Sequence, residues 1–303
     1  MAVQTQAHPA SPSPAAIPAA ADWQPRRRPR WTTIARHVIL ALFAIVILFP
    51  IVWVLLLSVK SLQDAYQNEI WPAHGFDFNH YGQALSQIDS LPRNFWNSVM
   101  VTSATVVITT ICSILGGYAL VHLRMPGRAI VLALLVASMF FPTRVTAIIS
   151  IWEVQRWLGL INKTWGLIPP YVTLSLAISV FIMRGMFETV PKELGDAAKI
   201  DGAGPVRMLL QIMLPIVSNG IVVVIIVNFV SAWGEYLLAN TLLNDLSQKT
   251  LPVVLASASG GMGAWVWPRL AAVYVMAILP GLIAFGIAQR WYMKGLQEGA
   301  LKG

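Results

Sequence analysis

Apolar blocks of roughly twenty residues recur along the chain, separated by short polar segments, and each is long enough as a helix to cross a hydrocarbon core of about 30 Å. They fall near 37–59, 95–121, 129–151, 165–186, 215–239 and 269–290, bounded by charge, Pro or Gly. Soluble core helices are usually shorter and keep a polar stripe. The pattern predicts an all-α integral membrane protein with six transmembrane helices in one domain, 31–303. The stretch before it, 1–30, is rich in Ala, Pro and Ser and poor in aliphatic residues. It buries too little surface to fold and reads as a disordered tail. It also lacks the apolar core of a cleavable signal peptide.

Between the fourth and fifth blocks the pattern changes. Residues Glu188–Gln211 are amphipathic and charged, too polar to cross a bilayer and too regular for disorder. Pro191 suits a helix start, and Glu193 and Asp196 place negative charge in the first turns, where the helix dipole favours it. Ala197 and Ala198 continue the helix, and Asp201-Gly202-Ala203-Gly204-Pro205 breaks it. A second short helix is expected from Val206 to about Met213, with the fifth span beginning at Leu214-Pro215. Such an elbow, 188–214, joined to membrane helices on both sides, can pass force from a soluble partner into the bundle.

Composition strengthens the membrane reading. Of 303 residues, 56% are hydrophobic and 11% charged, about half the charge of a soluble domain. The net charge of +8 raises nucleic acid as a partner, but the basic residues sit beside the apolar blocks, as in Arg26–Arg30, Arg124–Arg128 and Arg290–Lys294. No basic patch with interleaved aromatics lies outside the spans, so no nucleic acid is expected. With the N-terminus inside, the cytoplasmic segments collect Arg124, Arg128, Arg184, Lys192, Lys199, Arg207, Arg290 and Lys294, while the outer ones hold few Lys or Arg. Both termini are therefore expected in the cytoplasm of a bacterial inner membrane. The lone Cys112 sits in an apolar block and suggests neither disulfide nor thiolate site.

Chemistry-bearing motifs are few. No Gly-rich loop with Lys-Ser/Thr is present, so any ATP must be held by another chain, and the histidines at 8, 37, 74, 80 and 122 make no metal spacing. The chain is expected to be no enzyme and to carry no metal or cofactor. Arg144, within the third block, is an intramembrane cation that by default faces a cavity or a partner. It either contacts an anionic or hydroxyl-rich solute or bonds carbonyls freed near Pro142. On the fifth block Asn228, Ser231, Trp233, Glu235 and Tyr236 form a candidate substrate path, set against helix-to-helix hydrogen bonding for the polar pair and an interface belt for the aromatics. Glu235 reads better as a structural or gate residue than as a proton relay. Ser175 and Ser179 suit close helix packing. The segment Lys60–Arg93 holds Trp71, Phe76, Phe78 and Tyr81 among several acids, which suits either contact with a partner or folding onto the rim of the bundle.

The run Asp196-Ala197-Ala198, Gly202, Ile212, Leu214 and Pro215 resembles the EAA loop of ABC importer permeases, with its spacing EAA-x3-G-x9-I-x-LP. Glu193 and Asp201–Ala203 are similar to the carbohydrate, maltose-type group of that family, as are Asn97-Ser98, Gly117–Leu120, Leu158–Leu160 with Asn162, Trp233 and the tail Gln289–Gly303. The departure is Asp196, where the family usually has Glu. The resemblance implies a type I importer permease whose Glu193, Asp196, Ala197, Ala198, Asp201, Gly202, Ala203, Ile212, Leu214 and Pro215 couple it to an ATPase. Small Ala197 and Ala198 are expected to seat the helix in a cleft of that ATPase, and Gly202 to allow the turn. The implied partners are a second permease, two ATPase subunits holding ATP and Mg, an extracytoplasmic solute-binding protein, a carbohydrate and the lipid bilayer. The tail Gly295–Gly303 is implied to reach the ATPase dimer. The competing readings are a permease for a non-sugar solute and an ATP-independent secondary transporter. The latter commonly shows two related halves, and no internal repeat stands out here.

Overall fold

The computed structural model describes residues 30–67, 69–87, 89–140, 144–259 and 266–300. The expected tail therefore falls, as far as residue 29, outside the described residues, and so do residues 301–303. The chain divides at Pro50 into two units. The first is described as the leading part of helix α1 (Arg30–Ser58), whose run Thr33–Ser58 contains an 18-residue stretch of mean hydropathy 3.2 and corresponds to the first predicted span.

The second unit is helical. It holds α2 (Leu62–Tyr66), α3 (Asn79–Gln87), α4 (Leu91–His122), α5 (Arg128–Phe140), α6 (Arg144–Trp157) and α7 (Ile168–Glu188). After these come α8 (Lys192–Ile200), α9 (Pro205–Ile216), α10 (Ser218–Trp233), α11 (Leu237–Leu242), α12 (Leu251–Ser259) and α13 (Trp267–Ala300). Among the described residues the only extended pairing is one bridge between Lys60 and Phe76. Both α4 and α7 open with proline in the first turn, where a missing N–H leaves no orphan.

The long pair α4 and α7 forms the axis of this unit, and α10 packs on both. A Cβ on Gly117 would stand 2.9 Å from the backbone N of Arg184 and 2.9 Å from Met183 Cβ. Only glycine lets the two backbones come so near, the small-residue device of membrane helices. Thr102, Thr105, Thr109 and Ser113 are buried along α4, with Ser175 and Ser179 on α7. At one end of the unit Tyr118, Met183, Phe187, Ala198, Met208 and Met213 form an apolar cluster. At the other end Val101, Leu167, Tyr171, Leu238 and Leu242 form a second.

The expected six spans are only partly matched. Among the described residues four helices are long and apolar enough to cross a membrane, Thr33–Ser58, Leu91–His122, Thr164–Glu188 and Trp267–Ile287. A fifth is counted if α9 and α10, which meet at 79°, are taken as one broken span. The predicted span 129–151 is described in two pieces. It is represented by α5, 13 residues and thus about 20 Å long, and by α6, while 141–143 lie outside the described residues. The predicted span 215–239 is corrected. Its break falls at Val217 rather than at Leu214-Pro215, and α10 stops at Trp233 with Gly234 as its C-cap.

The loop joining α1 to α4 is folded rather than loose. Ser58 and Tyr81 share a hydroxyl hydrogen bond of 2.8 Å, and His80 donates through Nε2 to the Lys60 carbonyl at 2.8 Å. Buried Lys60 lies 4.6 Å from the centre of the Trp53 ring and donates to the Glu69 carbonyl. Asp64 is fully enclosed and accepts from both the backbone N–H (3.2 Å) and Nδ1 (2.5 Å) of His74. The acids of this loop thus turn inward at Asp64, while Trp71, Phe76 and Phe78 stay exposed and touch one another.

Hydrogen bonds from His74 hold the Asp64 carboxyl below its usual range. Because the folded value is the depressed one, this contact contributes fully above the ordinary carboxylate pKa and is lost as pH falls through the folded value. Asp64→Asn is expected to speed amide exchange across 60–81 at neutral pH, and the wild-type loop to show the same loosening only in more strongly acidic buffer. Equal exchange in the two proteins at pH 7 would show that the contact does not hold the loop.

Candidate functional site

The segment after α7 builds the elbow that the sequence pattern anticipates, with α8 starting one residue earlier than Glu193 and Pro191 as its N-cap. Asp201 ends it, and Gly202 takes φ +75°, the left-handed turn that glycine adopts without steric cost. From Pro205 the chain turns helical again, and Met208–Met213 winds as a π-helix. A π-helix inserts an extra residue per turn and often marks a site under functional constraint. Here it brings Met208, Leu209 and Met213 into the apolar cluster under α8.

Two contacts fasten the elbow to the spans. Ala198 is buried in that cluster among Met208, Leu209 and Met213, and the Tyr118 hydroxyl of α4 donates to the Pro205 carbonyl at 3.1 Å. Ala203, Ile212 and Leu214 pack partly buried on the same cluster. Ala198 is the buried member of the alanine pair. Its small size seats α8 on its own chain, and its surface is used there, whereas Ala197 faces outward. Glu193, Asp196, Asp201, Gly202 and Pro215 are exposed. Asp196 pairs with Lys199 at 3.0 Å, and a pair so open contributes little to stability.

Sequence reasoning missed the apolar members of the exposed face. Ile200 is 87% exposed and Val206 69% exposed, flanking the Gly202 turn, with Leu194 and Leu210 on the neighbouring turns. The signal was available: branched aliphatics bracketing a polar Gly-rich turn have no reason to be there unless something covers them.

The candidate substrate path separates into unlike parts. Asn228 is fully buried and donates to Ser179 Oγ and to the Val224 carbonyl, each at 2.8 Å. Ser179 in turn donates to the Ser175 carbonyl at 2.8 Å. Buried Glu235 accepts from Tyr171 Oη at 2.6 Å and from the backbone N–H groups of Leu238 (3.0 Å) and Ala239 (3.1 Å), so it caps α11. Both side chains make the structural hydrogen bonds that the alternative readings expected of them. Trp233 stacks on Phe229, meets Phe95 edge-on and donates to the Ala277 carbonyl at 3.1 Å. Trp233 and Tyr236 line an apolar groove of about 600 Å3 between α10, α12 and α13, joined by Phe229 and Tyr274. Asn228, Ser231 and Glu235 are not among its lining residues. Arg144 opens α6, and its side chain lies outside the described residues.

At the end opposite the elbow, the chain between α11 and α12 is clasped by side chains. Asn94 donates to the carbonyls of Leu246 (2.6 Å) and Lys249 (2.8 Å), Asn97 to those of Ser247 and Lys249 (3.0 Å each). Ser98 accepts from Leu251 N–H at 2.8 Å, and Asn162, at φ 59°, accepts from Asn244 and Asp245 N–H. The motif residues Asn97-Ser98 and Asn162 therefore supply hydrogen bonds to a strand of backbone that has no helix of its own to satisfy it.

Comparison with known proteins places this architecture. The family described as "Binding-protein-dependent transport system inner membrane component" matches residues 109–297. The chain is 35% identical over 257 residues to the sulfoquinovosyl glycerol transport system permease protein SmoH of Agrobacterium fabrum, covering 84% of this chain and 89% of that protein. It also superposes, with TM-score 0.77 and 23% identity, on a chain from the crystal structure of a bacterial ABC transporter involved in import of the acidic polysaccharide alginate. That match covers 87% of this chain and 97% of the other. A second match, with TM-score 0.61 and 14% identity, is to a bacterial alginate ABC transporter in complex with an alginate pentasaccharide-bound periplasmic protein. It covers 85% of this chain and 92% of that one.

Removing the Glu235 carboxylate should expose its structural role. Glu235→Leu leaves two N–H groups and the Tyr171 hydroxyl without this acceptor, at about 1–3 kcal/mol per buried group, and is expected to lower the thermal midpoint of the detergent-solubilised protein clearly. An unchanged midpoint with lost transport would instead place Glu235 in the substrate path.

Proposed function

Since the chain belongs to the binding-protein-dependent transport system inner membrane component family, we propose that it is the permease of an ATP-driven importer of a carbohydrate. The chain is a membrane permease subunit and not an enzyme; ATP is hydrolysed by a separate subunit. The observation that carries the coupling role is the elbow: α8 is anchored inward through Ala198 and turns Ile200 and Val206 outward. An apolar face of that kind, rimmed by Glu193, Asp196 and Arg207, suits a cleft on the ATPase.

The elbow and both termini lie on the cytoplasmic side in this reading, which the distribution of Lys and Arg supports. ATP binding closes the ATPase pair, α8 moves with it, and the rigid seat under Ala198 passes the motion to α4, α7 and α10. The spans of this chain and of a second permease then open toward the solute-binding protein, and hydrolysis returns them. ATP and Mg sit on the ATPase, and none is held by this chain. A carbohydrate is the solute class favoured by the relative named for a sulfoquinovosyl glycerol transport system and by the carbohydrate-type text around Asp201–Ala203. Arg144, at the start of α6, is the residue proposed to favour acidic members of that class.

Copurification of the tagged chain is expected to bring down an ATPase, a second permease and a solute-binding protein. The reconstituted assembly should take up a carbohydrate only when ATP is supplied on the ATPase side. Uptake by this chain alone would establish a secondary transporter instead. Arg144→Gln is expected to depress uptake of uronate oligosaccharides more than of neutral ones, and an equal effect on both removes its selective role.

Gly202→Val forces a β-branched residue into the left-handed region, at about 1–2 kcal/mol. It is expected to cut the ratio of solute moved to ATP hydrolysed several-fold while leaving membrane insertion intact. Gly202→Asn, which tolerates that conformation better, should be milder. Wild-type coupling in the valine variant would sink the turn's role.

A further inference from the structure

A second feature of the elbow lies beside the face given to the coupling role and shares Asp196 with it. Between the end of α4, the start of α5, the end of α7 and helix α8 lies a cavity of about 440 Å3. Its charged and titratable walls are His122, Arg128, Glu188, Lys192, Asp196 and Lys199. The carboxylates are already answered once Arg184, just outside the cavity wall, is counted. Glu188 accepts from Arg184 at 2.8 Å and stands 4.0 Å from Arg128, and Asp196 is paired with Lys199. Lys192 and one guanidinium are left as surplus positive charge. His122 adds a buried Nε2 that has no hydrogen-bond partner, its ring held against Tyr118 and Phe187. Lys192 also heads the first turn of α8, where backbone N–H groups and the helix dipole favour an anion.

From this convergence we propose that the cavity binds a phosphate-bearing anion. Phosphate suits the site because it accepts several charge-assisted hydrogen bonds at once from guanidinium and ammonium donors. The volume falls in the range of small-ligand pockets. The cavity lies where the apolar runs of α4 and α7 end, at His122 and Glu188, which is the level of lipid headgroups. Two sources share the required chemistry, the headgroup of an anionic phospholipid and a free phosphate monoester. Either one bridges α8 to α5 and α7, across the joint through which the elbow moves, so occupancy sets how stiffly α8 is held to the spans.

The site is read directly by the rate at which an amine-reactive reagent modifies Lys192 in the assembled complex, followed by mass spectrometry. In vesicles of phosphatidylcholine alone, titration with inorganic phosphate and glycerol 3-phosphate is expected to slow that modification at least about fivefold if the free ester is the ligand. In vesicles containing phosphatidylglycerol and no soluble phosphate, the same slowing identifies the headgroup. Arg128→Gln should raise the concentration of probe giving half-protection by about tenfold, the scale of one charge-assisted contact, and Arg128→Lys should largely restore it. Should Lys192 react at one rate under all of these conditions, or be protected equally well in the Arg128→Gln complex, the proposal is overturned.

Discussion

The seat beneath α8 is the contact on which the behaviour of this protein depends. A short amphipathic helix outside the membrane has no stability of its own at nine residues. It exists because Ala198 is buried on a floor of methionines, Met208, Met213 and Met183, with Tyr118 tying the following turn to α4 through the Pro205 carbonyl. The floor is contributed by α4, α7 and the π-wound part of α9, so a push on α8 meets the ends of several membrane helices together. Methionine suits such a floor because its side chain fills irregular gaps and re-packs as neighbours shift. A joint that must move without coming apart benefits from that softness.

Elsewhere the structure is governed by the need to satisfy polar groups where water is scarce. Glu235 looks from its residue type like transport chemistry, yet it spends its carboxylate on the N–H groups that begin α11 and on Tyr171. Asn228 and Ser179 join α10 to α7 in the same way. Asn94, Asn97, Ser98 and Asn162 hold the backbone between Leu242 and Leu251. Around Glu235 and between Leu242 and Leu251, an irregular or broken stretch of chain is made tolerable by side chains that replace the missing ladder partner. Of the polar and aromatic residues on the fifth block, Trp233 and Tyr236 line an apolar groove.

Sequence alone determined the membrane class, because twenty-residue apolar blocks admit few other solutions. It also determined the elbow, because a charged amphipathic stretch interrupted by Asp201-Gly202-Ala203-Gly204-Pro205 can only turn there, and Gly202 does so at φ +75°. The residues proposed to couple the chain to an ATPase were named by resemblance to the EAA loop. What spacing could not supply was direction: Ala197 and Ala198 are adjacent and alike, and only the position of the floor beneath α8 decides that Ala198 is spent inside the chain.

Tertiary structure likewise decided how the apolar blocks are cut. Hydropathy averages over a window and does not register where a backbone bends, so the turn at Val217 and the end of α10 at Trp233 were invisible to it. Polar residues inside those blocks were legible as unusual but not as to purpose. Their partners, Tyr171 for Glu235 and Ser179 for Asn228, lie 64 and 49 positions away in the chain. Hydrogen bonding acts over about 3 Å of space, and only folding converts such distances in sequence into that one.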